Sequence, residues 1–504
     1  MGFRSALSKP LAQFIHQQNQ QWMANPEKAQ DHTFRQLINT GKNTRYGTDR
    51  DFAGISSYED FKQRVKVSDY EGLRTYIERI IDGEPDVLWK GKPIYFAKTS
   101  GTTSGTKYIP ITSDSIPNHI NSARNALLSY IYETGNSRFL DGKLMFLSGS
   151  PTLDTKGVIP TGRLSGIVNH HIPGYLKTNQ MPSFSTNVIE DWELKLDKVI
   201  DETLVQNMTL ISGIPPWVQM YFDRIIERTG RKVIDTFPNF SVFVYGGVNF
   251  KPYERKINES IGKEIDSIET YPASEGFIAY QDSQVHPGLL LLANSGIFFE
   301  FIPAEEHFND NPTRISIHDV ELDKNYSLVL NSNAGLWGYA IGDTVKFVSK
   351  YPHRLEVTGR VKHFISAFGE HVIGEEVEKS LAFACNQFPE AEVVEFTVAP
   401  NVTPTYGLPS HEWFVEFSRM PDQPDQFAKA LDDKLCQLNS YYDDLIKGNI
   451  LQPLRLVPLK PAAFQQFMKS KGKLGGQNKV PRLANDRAIA DFLDNFRSTS
   501  EKKS

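Results

Sequence analysis

From about residue 140 to residue 350, strand-type and helix-type runs alternate, and this alternation limits the fold more than any other feature of the chain. Leu144–Leu147 reads as a strand. Trp217 to Thr229 reads as a helix, opened by Pro215-Pro216 and closed by Gly230. Val242–Tyr245 is a buried-type strand ending in Gly246-Gly247, and Ser267–Thr270 is another. From Leu289 to Phe347 strand-like runs follow one another, among them Ile297–Ile302 and Tyr326–Leu330. The pattern predicts an α/β protein with all-β material late in its large domain.

The first ninety residues read mainly helical. Ser57-x-x-Asp60 and Ser68-x-x-Glu71 have capping-box form. After Ser68, Leu73, Tyr76, Ile77 and Ile80 share one helix face, and Gly83 ends it. Beyond Arg360 the spacing predicts a helix near Glu375–Gln387, strands near Val393–Ala399 and Glu412–Phe417, and a helix near Gln426–Leu438. The expected division is a large domain over 1–360, a small α+β domain over 361–495 and a disordered tail over 496–504. No Pro/Gly-rich linker marks the boundary, so the two domains should meet at a short hinge.

Composition excludes several classes. A net charge of −5 argues against a dedicated nucleic-acid binder. The longest apolar run, Gly288–Ala293, is far short of the roughly 18 residues a membrane span needs. Ala6 stands where a myristoylation signal wants Ser or Thr. The only cysteines, Cys385 and Cys436, are not spaced for metal, which points to a reducing cytoplasm and to packing roles. The expected partners are small molecules, and the expected state is a monomer or weak dimer.

Between two β-type runs lies Thr99-Ser-Gly-Thr-Thr-Ser-Gly-Thr-Lys107. Its hydroxyls, its glycines Gly101 and Gly105 and its terminal lysine offer backbone N–H groups, donors and a cation to a polyphosphate. A Walker A loop is excluded, because Thr106 separates Gly105 from Lys107 and a strand follows where a helix should. The segment reads as a hairpin tip in which Thr99, Ser100, Gly101, Thr102, Thr103, Ser104, Gly105 and Lys107 hold phosphates. An ordinary surface turn is the alternative.

Four further motifs carry chemistry. Tyr271-Pro-Ala-Ser-Glu-Gly276 follows a strand, where ligands gather in α/β sheets. Its Glu275 is suited to hold Mg²⁺ against phosphate oxygens, unless it is a solvated turn residue. Tyr339-Ala-Ile-Gly-Asp343 offers Asp343 to a ribose diol, or is a Gly-Asp hairpin turn. Val357-Thr-Gly-Arg360 offers Arg360 to ribose or phosphate, or to a surface ion pair. Gly475-Gly-Gln-Asn-Lys-Val-Pro-Arg482 carries Lys479 on a glycine-started loop, or is a solvated basic loop. His170-His171 lacks the partners of a metal or acyl-transfer site and reads as structural or pocket-lining.

Taken in order, these motifs resemble the adenylate-forming ligase superfamily, and in detail the auxin-responsive (Gretchen Hagen) acyl-acid amido synthetases and their bacterial relatives. That family has a Ser/Thr-Ser-Gly-Thr-x-x-Gly loop, matched by Thr99 to Gly105. It has Tyr-x-Ser-Ser-Glu, matched by Tyr271 to Glu275; Tyr-Arg-x-Gly-Asp, matched by Tyr339 to Asp343; and Gln-x-Lys-x-Pro-Arg, matched by Gln477 to Arg482. The resemblance spans about residues 95 to 485. Two positions depart from it: Ala273 replaces a serine and Ala340 an arginine.

The resemblance implies a large α/β domain with a β-barrel-like subdomain and a small mobile C-terminal α+β domain. It implies ATP and Mg²⁺, a carboxylic acid activated as its acyl-adenylate with release of pyrophosphate, and transfer to an amine, an amino acid by expectation. Glu275 would hold the metal and Lys479 would serve adenylation. Asp343 and Arg360 would grip the ribose. Tyr271 would stack near adenine, beside Ala273 and Ser274, with Gly246 and Gly247 allowing close backbone approach. Two alternatives stay open: a thiol acceptor such as coenzyme A, and a nucleotide-binding protein that has lost turnover, supported by Ala273 and Ala340.

Overall fold

The computed structural model describes residues 2–99, 106–172, 177–247, 250–361, 364–365, 367–370, 372–471 and 480–498. These form two compact units. One comprises the chain up to residue 99 with 107–189 and 196–361, and the other the chain from residue 362 with 190–195.

The larger unit opens with helices at Phe3–Met23, Pro26–Gly41, Arg45–Asp49, Tyr58–Arg64 and Tyr70–Ile81. Ser57 and Asp60 form the expected reciprocal cap. The next cap differs from expectation. Asp69, not Ser68, accepts from the Glu71 N–H, and Ser68 instead joins a strand edge. Leu73, Ile77 and Ile80 turn inward as their spacing predicts.

Its strands are β1 (Tyr95–Thr99), β2 (Lys107–Ile111), β3 (Lys143–Leu147), β4 (Asp154–Lys156), β5 (Ile159–Gly162), β6 (Gln180–Met181), β7 (Met208–Gly213), β8 (Val242–Gly246), β9 (Asp266–Ala273), β10 (Gly276–Tyr280), β11 (Leu289–Leu291), β12 (Ile297–Pro303), β13 (Asn325–Ser332), β14 (Tyr339–Lys350) and β15 (His353–Arg360). A four-stranded sheet runs β2-β1-β5-β4, and an eleven-stranded sheet runs β12-β13-β14-β15-β11-β10-β9-β8-β7-β3-β6. The β9-β8-β7-β3-β6 half is parallel, and every pairing from β9 outward to β12 is antiparallel. The late all-β material is therefore the antiparallel half of the same sheet.

That half curls. In sheet order β9 and β14 stand four strands apart, which in a flat sheet is roughly 19 Å. Yet the Tyr271 hydroxyl on β9 donates to Asp343 Oδ2 on β14 at 2.5 Å. Only a sheet folded back on itself allows that contact.

In the smaller unit, β16 (Phe364–Ile365) pairs with β17 (Val372–Ile373). A second sheet sets β18 (Glu392–Asn401) antiparallel to β19 (Ser410–Arg419), with β20 (Arg455–Leu459) parallel to β19. Helices Gly374–Gln387 and Pro424–Leu438 fall where the sequence places them. Phe414, Val457, Phe464, Phe467 and Leu493 belong to one of its apolar cores. Cys385 and Cys436 are unpaired and half-buried. Burial, then the charges of Asp432, Asp443 and Asp433, push the Cys436 thiol up to about 12, as fits packing rather than nucleophilic use.

Candidate active site

Thr99 and Lys107 end β1 and begin β2, and they face each other in an antiparallel register. The hydroxyl-rich segment thus bridges a strand hairpin, as its flanks predict. Ser100, Gly101, Thr102, Thr103, Ser104 and Gly105 themselves lie outside the described residues. So do Gly475, Gln477 and Lys479 of the late motif.

The hairpin root is fixed to the Tyr339 motif through the segment Ser68–Tyr70. Tyr108 N–H on β2 donates to the Tyr70 hydroxyl at 3.1 Å. Two residues earlier, Ser68 N–H donates to Gly338 C=O at 2.9 Å, and Ala340 N–H donates to Ser68 C=O at 2.8 Å.

The Tyr271 motif is a tight β9–β10 hairpin. Ala273 pairs with Gly276, leaving Ser274 and Glu275 as the turn. Pro272 faces Phe277 but has no N–H to give it. Asn118, on helix Ile116–Thr134, supplies what is missing: its Nδ2 donates to Phe277 C=O at 3.0 Å, and its Oδ1 accepts from Phe277 N–H at 2.6 Å. The alternative of a solvated turn carboxylate does not hold. Glu275 is only 9% exposed, because the curled sheet covers the turn, and the Tyr339 hydroxyl donates to its Oε1 at 3.3 Å.

Asp343 also differs from the hairpin-turn alternative. It lies inside β14, at a bulge. Between Val329↔Ala340 and Ser327↔Thr344, β14 advances four residues while β13 advances two. Gly342 makes this possible with φ +87°, a left-handed conformation that side chains resist. Gly342 C=O accepts from Val361 N–H at 2.9 Å. The bulge re-aims Asp343, which is buried, toward Tyr271. Arg360, the last residue of β15, is the register partner of Asp343.

Gly246 ends β8 opposite Thr270 of β9. A Cβ there would stand 2.2 Å from Thr270 C=O, so the strand pair leaves no room for a side chain at Gly246. The β8 end, the β9–β10 turn, the β14 bulge and the β15 end thus converge within the larger unit. Sequence reasoning did not assign roles to Tyr339 or Asn118. Tyr339 stood inside a recognised motif, whereas Asn118 sits in a helix and gave no signal.

His170 and His171 make packing contacts. A ring nitrogen of His170 lies 2.8 Å from Pro151 C=O, and one of His171 lies 3.2 Å from the Tyr95 hydroxyl, with the rings edge-to-face.

The donor set is compatible with Mg²⁺. A hard cation takes oxygen ligands and is commonly held by one or two carboxylates plus substrate phosphates. Glu275 and the Ser274 hydroxyl offer such oxygens, and among the described residues no cluster of three His, Cys, Asp or Glu forms a full protein cage.

Comparison with known proteins places the fold and the family. An acyl acid amido synthetase, AtGH3.15 in complex with 2,4-DB, has a TM-score of 0.60 at 16% identity, covering 99% of this chain and 98% of that one. A 2-hydroxyisobutyryl-CoA ligase in complex with 2-HIB-AMP and CoA has a TM-score of 0.55 at 13% identity, covering 93% and 91%. The fold is that of the adenylate-forming ligases. In sequence, the GH3 family N-terminal domain matches residues 15–193, its central domain 290–360 and its C-terminal domain 375–488. Indole-3-acetic acid-amido synthetase GH3.15 of Arabidopsis thaliana is 35% identical over 92% of this chain and 92% of its own length. Jasmonoyl–L-amino acid synthetase GH3.5 of Oryza sativa subsp. japonica is 23% identical over 91% and 92%. The chain belongs to the GH3 family.

Proposed function

We propose that the protein is an ATP-dependent acyl-acid amido synthetase, working on small molecules in a reducing cytoplasm. A carboxylate oxygen attacks the α-phosphorus of ATP. The bond from that phosphorus to the β-phosphate oxygen breaks, and its electron pair leaves on pyrophosphate. An amine then attacks the acyl carbonyl carbon and AMP departs.

The observation that carries the reading is the Tyr271–Asp343 hydrogen bond with its neighbour, Tyr339–Glu275. These contacts join motifs 72 and 64 residues apart, with the Thr99–Lys107 hairpin tied to the same strand. Asp343 would accept from the ribose hydroxyls, with Arg360 beside it. Tyr271, held by its hydroxyl, would present its ring toward adenine next to Ala273 and Ser274. Gly246 and Gly247 would let backbone approach the base. The hairpin Thr99–Lys107 would hold the β- and γ-phosphates. Mg²⁺, bound through Glu275, would supply charge neutralisation between the two anions that must meet. Lys479 would add a cation at the same stage. Each well-placed donor of this kind is worth roughly 3 kcal/mol in the transition state. A division of the chain near residue 360 would let the small domain move between the two steps and exclude water from the intermediate.

The test is a pyrophosphate-release screen over carboxylic acids, with amino acids and coenzyme A as alternative acceptors and products identified by mass. Acid-dependent release with an amide product is expected. No release over a broad acid panel overturns the reading.

A further inference from the structure

The first helix is inverted over its first half. In Phe3–Met23 the residues packed inward are Ser5, Ser8, Ala12, Ile15, Asn19 and Trp22. Two serines thus stand where a surface helix normally buries large apolar side chains. The Ser5 hydroxyl lies 2.7 Å from that of Ser137, and the Ser8 hydroxyl donates to Ser5 C=O at 2.9 Å. The large apolar residues face out: Phe3 is 79% exposed, Leu7 56%, Leu11 42% and Phe14 54%. Spacings of four, four and three residues place them in one stripe. Ala6 and Pro10, both exposed, lie along it. After Phe14 the ordinary pattern returns, with Gln17, Gln18, Gln20 and Gln21 outside.

The helix is held in this orientation. At its N-terminus Asp141 accepts from Gly2 N–H at 2.7 Å and from Ser5 N–H at 3.2 Å, and Arg4 donates to the Thr178 hydroxyl at 2.7 Å. The stripe is therefore a fixed surface of the larger unit, and a contiguous exposed apolar patch marks a contact site. Its flanks favour protein over lipid. A membrane-surface helix carries Lys and Arg along its polar face. Here the stripe is bordered by exposed Gln13, Gln17 and Gln18, Arg4 is engaged by Thr178, and Lys9 falls on the far side of the helix. An apolar centre with an uncharged polar rim is the composition of a protein contact.

The order of the stripe indicates its occupant. Phe-Leu-Leu-Phe reads the same in both directions. Two such helices set antiparallel place Phe3 of one copy against Phe14 of the other, Leu7 against Leu11, and Ala6 against Pro10. The midpoints of all three pairs fall within one residue, about 1.5 Å of helix rise. One twofold axis therefore serves every pair, as a self-complementary contact requires. The four large side chains expose roughly 400 Å² per copy, so a dimer buries about 800–1,000 Å², the size of a weak, reversible interface. We infer that two copies of the chain pair in solution through this stripe, their first helices antiparallel about an axis level with Ser8 and Lys9. The inference does not depend on the reaction proposed above.

Sedimentation velocity of the full chain, from about 1 to 200 µM, should show a reversible monomer–dimer equilibrium. Leu7→Glu and Leu11→Lys should each weaken the dimer at least about tenfold, because each sets one charge against leucine. The double variant Leu7→Glu/Leu11→Lys should recover most of that loss, since the antiparallel register brings opposite charges together across the axis. Phe14→Gln introduces no charge and should weaken the dimer in the same direction. Circular dichroism reports that the variants are folded. A wild type that stays monomeric throughout overturns the inference, as does a dimer that survives both Leu7→Glu and Phe14→Gln. A double variant no tighter than its single parents overturns the antiparallel register. Monomeric wild type that sediments with phosphatidylserine-containing vesicles assigns the stripe to a lipid surface and overturns the pairing.

Discussion

Replacing Tyr271 by Phe removes one oxygen and leaves the ring, so its effect measures what that hydroxyl contributes. That oxygen donates to Asp343 at 2.5 Å, and both residues are less than one-tenth exposed. A hydrogen bond to a charged acceptor is worth about 1.5–3 kcal/mol. The expected cost to the larger unit is about 2 kcal/mol, a fall of roughly 4 °C in its melting midpoint. The contact also closes the curl of the sheet and orients Asp343, so the KM for ATP should rise roughly tenfold, equivalent to about 1.4 kcal/mol. Scanning calorimetry and acid-dependent ATP–pyrophosphate exchange read the two effects separately. A double-mutant cycle with Asp343→Asn should return a coupling of about 0.5–3 kcal/mol. Wild-type stability together with a wild-type KM for ATP would refute the claim that this bond holds the nucleotide site together.

Gly342→Ala should cost about 1–2 kcal/mol from its backbone alone, because φ is +87° and no atom lies within 4 Å of the added Cβ. Gly342→Asn should lose less, and denaturant midpoints decide. His119 is buried on helix Ile116–Thr134, and burial pushes its pKa down to about 4. The unfolded chain therefore binds the proton more tightly, so this contribution is intact above pH 6.5 and is lost as pH falls from 6.5 to about 4. The loss reaches roughly 3 kcal/mol. His119→Gln should flatten the slope of stability against pH in that window. Lys479→Ala should abolish ATP–pyrophosphate exchange while sparing amide formation from a supplied acyl-adenylate, and intact exchange would remove its role.

Local signals were legible wherever the determinant lies within a few residues. The Ser57–Asp60 cap, the strand flanks of the Thr99–Lys107 segment and the helix face Leu73, Ile77, Ile80 are of this kind. Ser68 misled because a β-type contact with Tyr339, far along the chain, competes with capping. Gly342-Asp343 has the composition of a hairpin turn, and only pairing with β13 and β15 makes it a bulge.

The sequence by itself determined the α/β class, the positions of most helices and strands, and the order of motifs that marks the family. Such features depend on periodicity, capping and residue type, which are local. The tertiary structure decided that Glu275 is buried rather than solvated and that Asp343 meets Tyr271. These follow from the curl of the antiparallel half-sheet, which brings β9 against β14. Curl accumulates over strands contributed by distant segments, so no window of the sequence contains it.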